Sequence, residues 1–306
     1  MSERIWGIDL GGTKIEGIVI DGALETVRER HASFPRLRVP TEGDRGYDHI
    51  VSQVVRLVES LEESSQCRRP ARIGIGTPGN TNPVDGLLYH SNTQCLNGRP
   101  FTADLSRALG VEVVTANDAN CLALAEARLG AARGYESMIG LILGTGVGGG
   151  LVYGGRLING RHGIAGEWGQ IVLDPAGPPS AYGTRGTVES YIAGPGLERA
   201  YEAHAGVRRK LPEIVERFTT GGDPAADATM DQLVERFAQS VSILINCFDP
   251  HAIVVGGGVG NVELIYSPRM REALQKHVFQ KGFSTELLRP QLGDSAGVFG
   301  AAMLVA

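Results

Sequence analysis

Three short glycine-rich stretches and a few isolated polar residues hold most of the chemistry this sequence can do. The first stretch is Asp9-Leu10-Gly11-Gly12-Thr13-Lys14, set between β-rich runs at 5–10 and 15–20. Adjacent glycines allow a sharp turn and let backbone N–H groups approach a phosphate closely. Asp9, at the end of the first run, can face Mg2+ through water, since that ion keeps several waters and takes few carboxylates. Lys14 either balances phosphate charge or is simply solvated. On this stretch alone, an ordinary N-terminal hairpin with a tight turn is an equal explanation.

The second stretch, Gly144-Thr145-Gly146-Val147-Gly148-Gly149-Gly150, again follows a β-rich run, at 138–143. The third, Gly256-Gly257-Gly258, follows a run at 251–255, and its flat backbone suits a base such as adenine. Together the three can hold a nucleotide, with phosphates on the first two turns and on the hydroxyls of Thr13 and Thr145. Asp118 lies in a polar cluster where a strand hands over to a helix. There it can accept a hydroxyl proton and align the oxygen with a γ-phosphate, or it can serve as a helix N-cap. Asn92, Asn117, Glu167 and Glu189 can together form a polar wall for sugar hydroxyls, although any one alone reads as a loop or surface residue.

The elements that must position these groups alternate between strand and helix. Residues 23–39 are expected to supply a third strand and a loop. Apolar residues at 50, 51, 54, 55, 57, 58 and 61 have helical spacing. A strand at 71–76 is cut off by Thr77-Pro78-Gly79-Asn80. A helix follows at 101–109, with Thr102 as a possible N-cap, then a strand at 111–115 and an alanine-rich helix at 121–129. After the second glycine turn come a strand at 171–173, helices near 189–200, 208–217 and 228–248, and a helix near 266–278. A small-residue helix closes the chain. Strand–turn–strand near residue 11 and again near residue 146 suggests a duplicated α/β unit with mixed sheets, with chance as the competing explanation.

Bulk properties narrow the function class. The chain has 306 residues, with 42% hydrophobic and 21% charged, enough for a sizeable core. A net charge of -5 argues against general nucleic-acid binding. No run reaches the roughly 18 apolar residues needed to span a bilayer. Cys67, Cys95, Cys121 and Cys247 are scattered and form no metal-type pair, so they read as free thiols of a reducing compartment, the cytoplasm by default. Gly144-x-Gly146-x-x-Gly149 mimics a dinucleotide fingerprint, but a helix must follow such glycines and here a strand is expected.

Taken in order, the motifs resemble the ROK family of sugar kinases. They are residues 9–14, Gly74-Ile75-Gly76-Thr77-Pro78-Gly79, Asn117-Asp118-Ala119-Asn120, residues 143–150, Ala165-Gly166-Glu167-Trp168-Gly169 and Gly256-Gly257-Gly258. The resemblance implies a two-domain, hexokinase/actin-like (ribonuclease H-like) α/β fold with mixed sheets and a cleft between the domains. It implies an N-terminal domain at 1–117, completed by a helix at 293–306, and a C-terminal domain at 118–292. Asp118 is then the catalytic base. Asn92, Asn117, Glu167 and Glu189 bind the sugar, joined by Gln170, which stands where the family has a sugar-touching histidine. ATP is held by Asp9, Gly11, Gly12, Thr13, Lys14, Gly144, Thr145, Gly146, Gly257 and Gly258, with Mg2+ near Asp9. The expected assembly is a cytoplasmic homodimer without nucleic-acid or membrane partners.

Within the family, residues 91–101, 165–169 and 293–298 look like bacterial fructokinases of the manno(fructo)kinase type, which makes D-fructose to fructose 6-phosphate the expected reaction. N-acetylhexosamine kinases share much of the pattern and are the alternative, with glucokinase. A sugar-responsive repressor of the same family would need a helix-turn-helix before the glycine hairpin, which starts here at Ile5. The family zinc site is replaced: Gln170, Ser180, Tyr182 and Thr187 occupy its ligand positions. These side chains are poor zinc ligands beside thiolate and imidazole. No structural zinc is expected, and hydrogen bonds must hold the loop that presents Glu189.

Overall fold

A computed structural model describes residues 4–21, 27 and 34–306. The chain begins with the antiparallel strands β1 (Ile5–Leu10) and β2 (Lys14–Ile20), paired from Ile5↔Ile20 to Leu10↔Ile15. Strand β3 (Arg36–Pro40) runs antiparallel to β2. It is the described part of the strand and loop expected over 23–39; residues 22–26 and 28–33 lie outside the described residues. Helix α1 (Tyr47–Ser65) buries Ile50, Val54, Leu57, Val58 and Leu61. That is the stripe its spacing predicts.

Next come β4 (Arg72–Thr77), the small strands β5 (Asn80–Thr81) and β6 (Leu88–Tyr89), and α2 (Phe101–Leu109). The expected N-cap role of Thr102 is not seen: Pro100 holds that position, and the Thr102 hydroxyl bonds the Thr115 hydroxyl at 2.9 Å instead. Strand β7 (Glu112–Asn117) and helix α3 (Asp118–Arg128) complete this part. Helix α3 starts three residues earlier than its alanine-rich run suggests, because the Asn117 side chain caps it. The first sheet has the order β3-β2-β1-β4-β7.

The second sheet is built from β8 (Ser137–Leu143), β9 (Val147–Tyr153), β10 (Arg156–Leu157), β11 (Ala252–Gly256) and β12 (Glu286–Leu288). Its order, β10-β9-β8-β11-β12, repeats the pattern of the first sheet. In both, an antiparallel edge adjoins a parallel set. The helices between β10 and β11 are α4 (Val188–Ile192), α5 (Gly194–Ala205), α6 (Leu211–Thr220) and α7 (Pro224–Phe248). The turn α8 (Gly257–Gly260), helix α9 (Pro268–His277) and the closing helix α10 (Ala296–Met303) follow. The strand expected at 171–173 is only a single bridge, Val172↔Thr187.

Contacts divide the chain into two units. One comprises 1–136, 150–165 and 290–306; the other comprises 137–149 and 166–289. Helix α3, which the sequence reading assigned to the second domain, thus belongs to the first unit. The reason is packing: α3 and the C-terminal helix α10 lie against each other so closely that a Cβ on Gly300 would collide with the Cys121 backbone. A Cβ at Gly7 would likewise lie 2.5 Å from the Ala302 nitrogen of α10. Small residues thereby bring helix backbones onto β1, where Asp9 emerges.

Candidate active site

In the first unit, Asp9 sits at the end of β1, opposite Glu16 in the hairpin register. Burial, then the neighbouring Asp118 and Glu16 carboxylates, raise its pKa from 3.8 to about 6, with Lys14 opposing. Room for the carboxylate is made by glycines: a Cβ on Gly297 would stand 2.5 Å from Asp9 Oδ2, and one on Gly76 would stand 3.2 Å from Oδ1. The Cys121 thiol lies beside the same two aspartates; burial and their charge push its pKa well up, so it stays a protonated packing group.

The first glycine turn is closed by Gly11 N–H donating to the Lys14 carbonyl at 2.9 Å. Thr41, fully buried, holds the turn from outside. Its hydroxyl donates to the Gly11 carbonyl at 2.6 Å and its N–H to the Thr13 carbonyl at 3.0 Å. Gly12 and Thr13 remain exposed. Lys14 donates to Glu16 Oε2 at 3.3 Å, and Arg36 and Arg38 share the same buried carboxylate. The sequence left Lys14 between phosphate and solvent, and its partner here is Glu16.

Asp118 is the first residue of α3, and one of its oxygens accepts the Ala119 N–H at 2.8 Å. It is therefore not the cap; Asn117 is, accepting the Asn120 N–H at 2.8 Å. The Asp118 side chain is open to solvent yet crowded by protein, so it loses part of its hydration while remaining reachable. That desolvation raises its pKa against the opposing pull of backbone N–H groups. Asn92 is exposed in the 90–97 loop, which Asn97 braces by accepting the Ser91 N–H at 2.8 Å and donating to the Ser91 carbonyl at 2.9 Å.

In the second unit, the turn after β8 is closed by Gly144 N–H donating to the Gly146 carbonyl at 2.9 Å. No helix follows the glycines; β9 does, as the sequence indicated. The Glu189 side chain, on α4, accepts the Val147 N–H at 2.9 Å. Glu167 and Gln170 flank a short turn whose Trp168 Nε1–H donates to the Gly148 carbonyl at 3.0 Å. Tyr182 joins this group: burial and then the charges of Glu189 and Glu167 raise its phenol pKa. The loop standing where the family carries zinc is held by hydrogen bonds. Asp174 accepts from Ala176 N–H at 2.9 Å and from the Tyr191 hydroxyl at 3.1 Å, Ser180 N–H donates to the Thr184 carbonyl at 2.7 Å, and Gly186 N–H to the Pro178 carbonyl at 2.7 Å.

A cavity of about 810 Å³ opens in the second unit. Gly144 and Thr145 line it, as do Gly258, Asn261 and an apolar wall that includes Leu211, Pro212 and Val215. Glu198, Arg208 and Lys210 add charge to its lining, with buried Glu198 Oε2 at 3.2 Å from Lys210 and 3.6 Å from Arg208. A phosphate-type turn, an apolar wall and an excess of one positive charge among Glu198, Arg208 and Lys210 in one cavity suit a nucleotide. Gly257 has φ +84 and packs on the Leu143 backbone, which only glycine allows at both counts.

Comparison with known proteins gives the decisive observation. The sequence profile described as the ROK family matches residues 5–306. The chain belongs to the ROK family. An N-acetyl-D-glucosamine kinase of Yersinia pseudotuberculosis is 35% identical over 98% of both chains. The crystal structure of a ROK hexokinase from Thermus thermophilus superposes with a TM-score of 0.85 at 33% identity, covering 98% of this chain and 97% of that one. A ROK glucokinase from Streptomyces griseus, solved with glucose and AMPPNP, gives 0.75 at 29% identity over 98% of both. The fold is the hexokinase/actin-like one, and the chain takes its place among the ATP-dependent sugar kinases of the family.

The expected fructokinase likeness is overturned by these comparisons: N-acetyl-D-glucosamine kinases of Yersinia pseudotuberculosis, Vibrio atlanticus and Pasteurella multocida match at 34–35% identity over 98% of the chain. The structure explains why the quoted stretches misled. Asn97 braces its own loop, Trp168 ties its turn to β9, Ser295 accepts a hydrogen bond from Arg36, and Gly297 leaves space for Asp9. These four residues hold the framework of this chain, and none of these contacts reads a sugar. Sequence reasoning also missed Thr41, Asp174, Glu198 and Lys210. Their residue types are ordinary, and no local spacing marks them.

Proposed function

We propose that this ROK kinase transfers the γ-phosphate of ATP to the 6-hydroxyl of N-acetyl-D-glucosamine. The observation that carries this reading is the 35% identity over 98% of the chain to N-acetyl-D-glucosamine kinases, together with a reachable aspartate at the head of α3. Asp118 accepts the hydroxyl proton as the sugar oxygen attacks the γ-phosphorus. The new O–P bond forms, the bond to the β-phosphate oxygen breaks, and ADP leaves. Burial of the Asp118 carboxylate raises its pKa, which makes it a stronger base toward the sugar hydroxyl.

The first turn (Gly11, Gly12, Thr13) and the second (Gly144, Thr145, Gly146) would cradle phosphates, and the 810 Å³ cavity with Gly257 and Gly258 nearby would take the adenosine. Asn92, Asn117, Glu167, Gln170 and Glu189 would bind hydroxyls and the acetamido group. Among the described residues no cluster of three metal-ligating side chains occurs. Mg2+ on a nucleotide does not need one, because one or two carboxylates plus phosphates suffice. Asp9 fits that role, with Asp118 beside it. The bound ion supplies charge neutralisation of the triphosphate. A cytoplasmic homodimer is the assembly we expect from the family. Among the described residues no helix is long and apolar enough to cross a membrane.

The test is a coupled ADP-release assay with Mg-ATP against N-acetylglucosamine, N-acetylmannosamine, glucose, mannose and fructose. The expected result is a kcat/KM for N-acetylglucosamine at least ten times that of any other sugar. Glucose or mannose in first place would overturn the substrate while leaving the phosphotransfer chemistry intact.

A further inference from the structure

One run of chain grips the second phosphate turn at both of its ends. Thr187, fully buried, caps α4 by accepting the Ser190 N–H at 3.2 Å. From the first turn of that helix, Glu189 sends Oε2 to the Val147 N–H at 2.9 Å, on the far side of the turn. The helix closes with Ala193 N–H donating to the Glu189 carbonyl at 3.2 Å. The next residue, Gly194, donates its N–H to the Gly144 carbonyl at 2.8 Å, on the near side of the turn. Beyond Gly194 the chain enters α5, whose Pro195 and Glu198 line the nucleotide-sized cavity. The turn itself is shaped to this grip: a Cβ on Gly146 would stand 2.9 Å from Glu189 Oε2.

We propose that Glu189 is a positioning residue for the nucleotide as well as a sugar contact, and that it couples the two sites. Oε2 holds the turn, and Oε1 is left to accept a sugar hydroxyl. The sugar half of the proposal rests on the function proposed above; the turn half does not. A turn pinned at both ends presents its other N–H groups to phosphate without first having to be ordered, so nucleotide affinity rises. A sugar that engages Oε1 restrains the same carboxylate and stiffens the turn further. The effect is reciprocal: nucleotide on the turn must favour sugar by the same factor. Residues 187–198 then form one relay from the Glu189 carboxylate to the phosphate turn to the base cavity.

The test measures binding of AMPPNP with Mg2+ to the whole chain by calorimetry, first with no sugar present. Glu189→Ala is expected to weaken AMPPNP five- to twenty-fold, whereas Glu189→Gln, which keeps an oxygen to accept the Val147 N–H, should stay within about two-fold of wild type. An unchanged Kd in Glu189→Ala overturns the clamp, because a carboxylate serving sugar alone leaves the nucleotide untouched. Gly146→Ala reaches the same contact from the other partner and guards against misfolding of the first variant. Its KM for N-acetylglucosamine should rise at least three-fold although the residue lies in the phosphate turn, and an unchanged KM counts against the proposal. In wild type, saturating N-acetylglucosamine should tighten AMPPNP at least three-fold, and independent binding overturns the coupling. If the wild-type chain shows no sugar-dependent ADP release at all, the sugar role falls, and the sugar-free AMPPNP comparison alone decides the clamp.

Discussion

The turn at residues 11–14 and the turn at residues 144–147 occupy corresponding places in two sheets of the same strand order, but they are anchored by different chemistry. In the first unit the anchor is Thr41, a neutral side chain just past β3, working with backbone bonds of the hairpin. The acids there, Asp9 and Asp118, do not bond the turn; they stand nearby with their pKa values raised. In the second unit the anchor is itself an acid, Glu189, with Gly194 on the other side. The difference assigns tasks. The first turn is held by Thr41 and backbone bonds alone, which on the proposed function leaves its carboxylates for proton and cation chemistry. The second is held by Glu189, and on the proposal above it is the place where one ligand senses another.

The sharpest way to break this division is Asp118→Asn. Turnover should fall by about 10³-fold or more, since a general base contributes on the order of 10²–10⁴ and its loss here also removes charge beside Asp9. AMPPNP affinity should stay within a few-fold of wild type. Turnover near wild type, measured by ADP release, would remove the base from the first unit and end the contrast.

Asp9→Asn comes next. Its folded pKa of about 6 lies above the ordinary 3.8, so the native state favours the protonated form. The stability this contributes is fully present below about pH 3.8 and is lost as pH rises through about 6. At pH 7 the ionised carboxylate therefore costs stability. Asn should recover about 1–3 kcal/mol, allowing for partial exposure, and raise Tm, while kcat/KM drops about 10²-fold. For the wild type, Mg2+ affinity should weaken as pH falls through about 6, because the proton and the cation compete for Asp9. A variant that loses both Tm and activity would show Asp9 to be a structural group instead.

Asp174→Ala tests whether hydrogen bonds alone hold the loop before Glu189. It removes acceptors for Ala176 N–H and the Tyr191 hydroxyl, and should cost about 1–2 kcal/mol in stability. The sugar KM should rise several-fold, and zinc added to wild type or variant should change neither value. One zinc per chain by metal analysis would overturn this account. The smallest effect is expected for Thr41→Ala, which should lose about 1 kcal/mol of stability and raise the ATP KM a few-fold without changing the sugar KM. That split, set beside Glu189→Ala, is the direct comparison of a turn held by a bystander with a turn held by a proposed sugar contact.

Much of this architecture was legible in the residues themselves. The glycine turns at 11–12 and 144–146, the strands around them and the handover at Asn117-Asp118 are local features: they follow from backbone freedom, period and strand ends within a few positions of each other. The repeat of strand–turn–strand was visible for the same reason. What only the tertiary structure decided depends on groups far apart in sequence. Thr41 reaches Gly11 across the sheet, Glu189 reaches Val147, and Gly297 makes room for Asp9. None of these residues has a type or spacing that announces its partner. The same distance bears on the overturned fructokinase likeness, since Asn97, Trp168 and Gly297 in the stretches that suggested it brace loops and leave space for partners elsewhere in the fold. Charge state belongs with the tertiary structure too: the raised pKa of Asp9 comes from burial and from Asp118, more than a hundred residues away. Short-range geometry is encoded by neighbours in the chain, whereas contact, burial and electrostatic field exist only once the chain has folded.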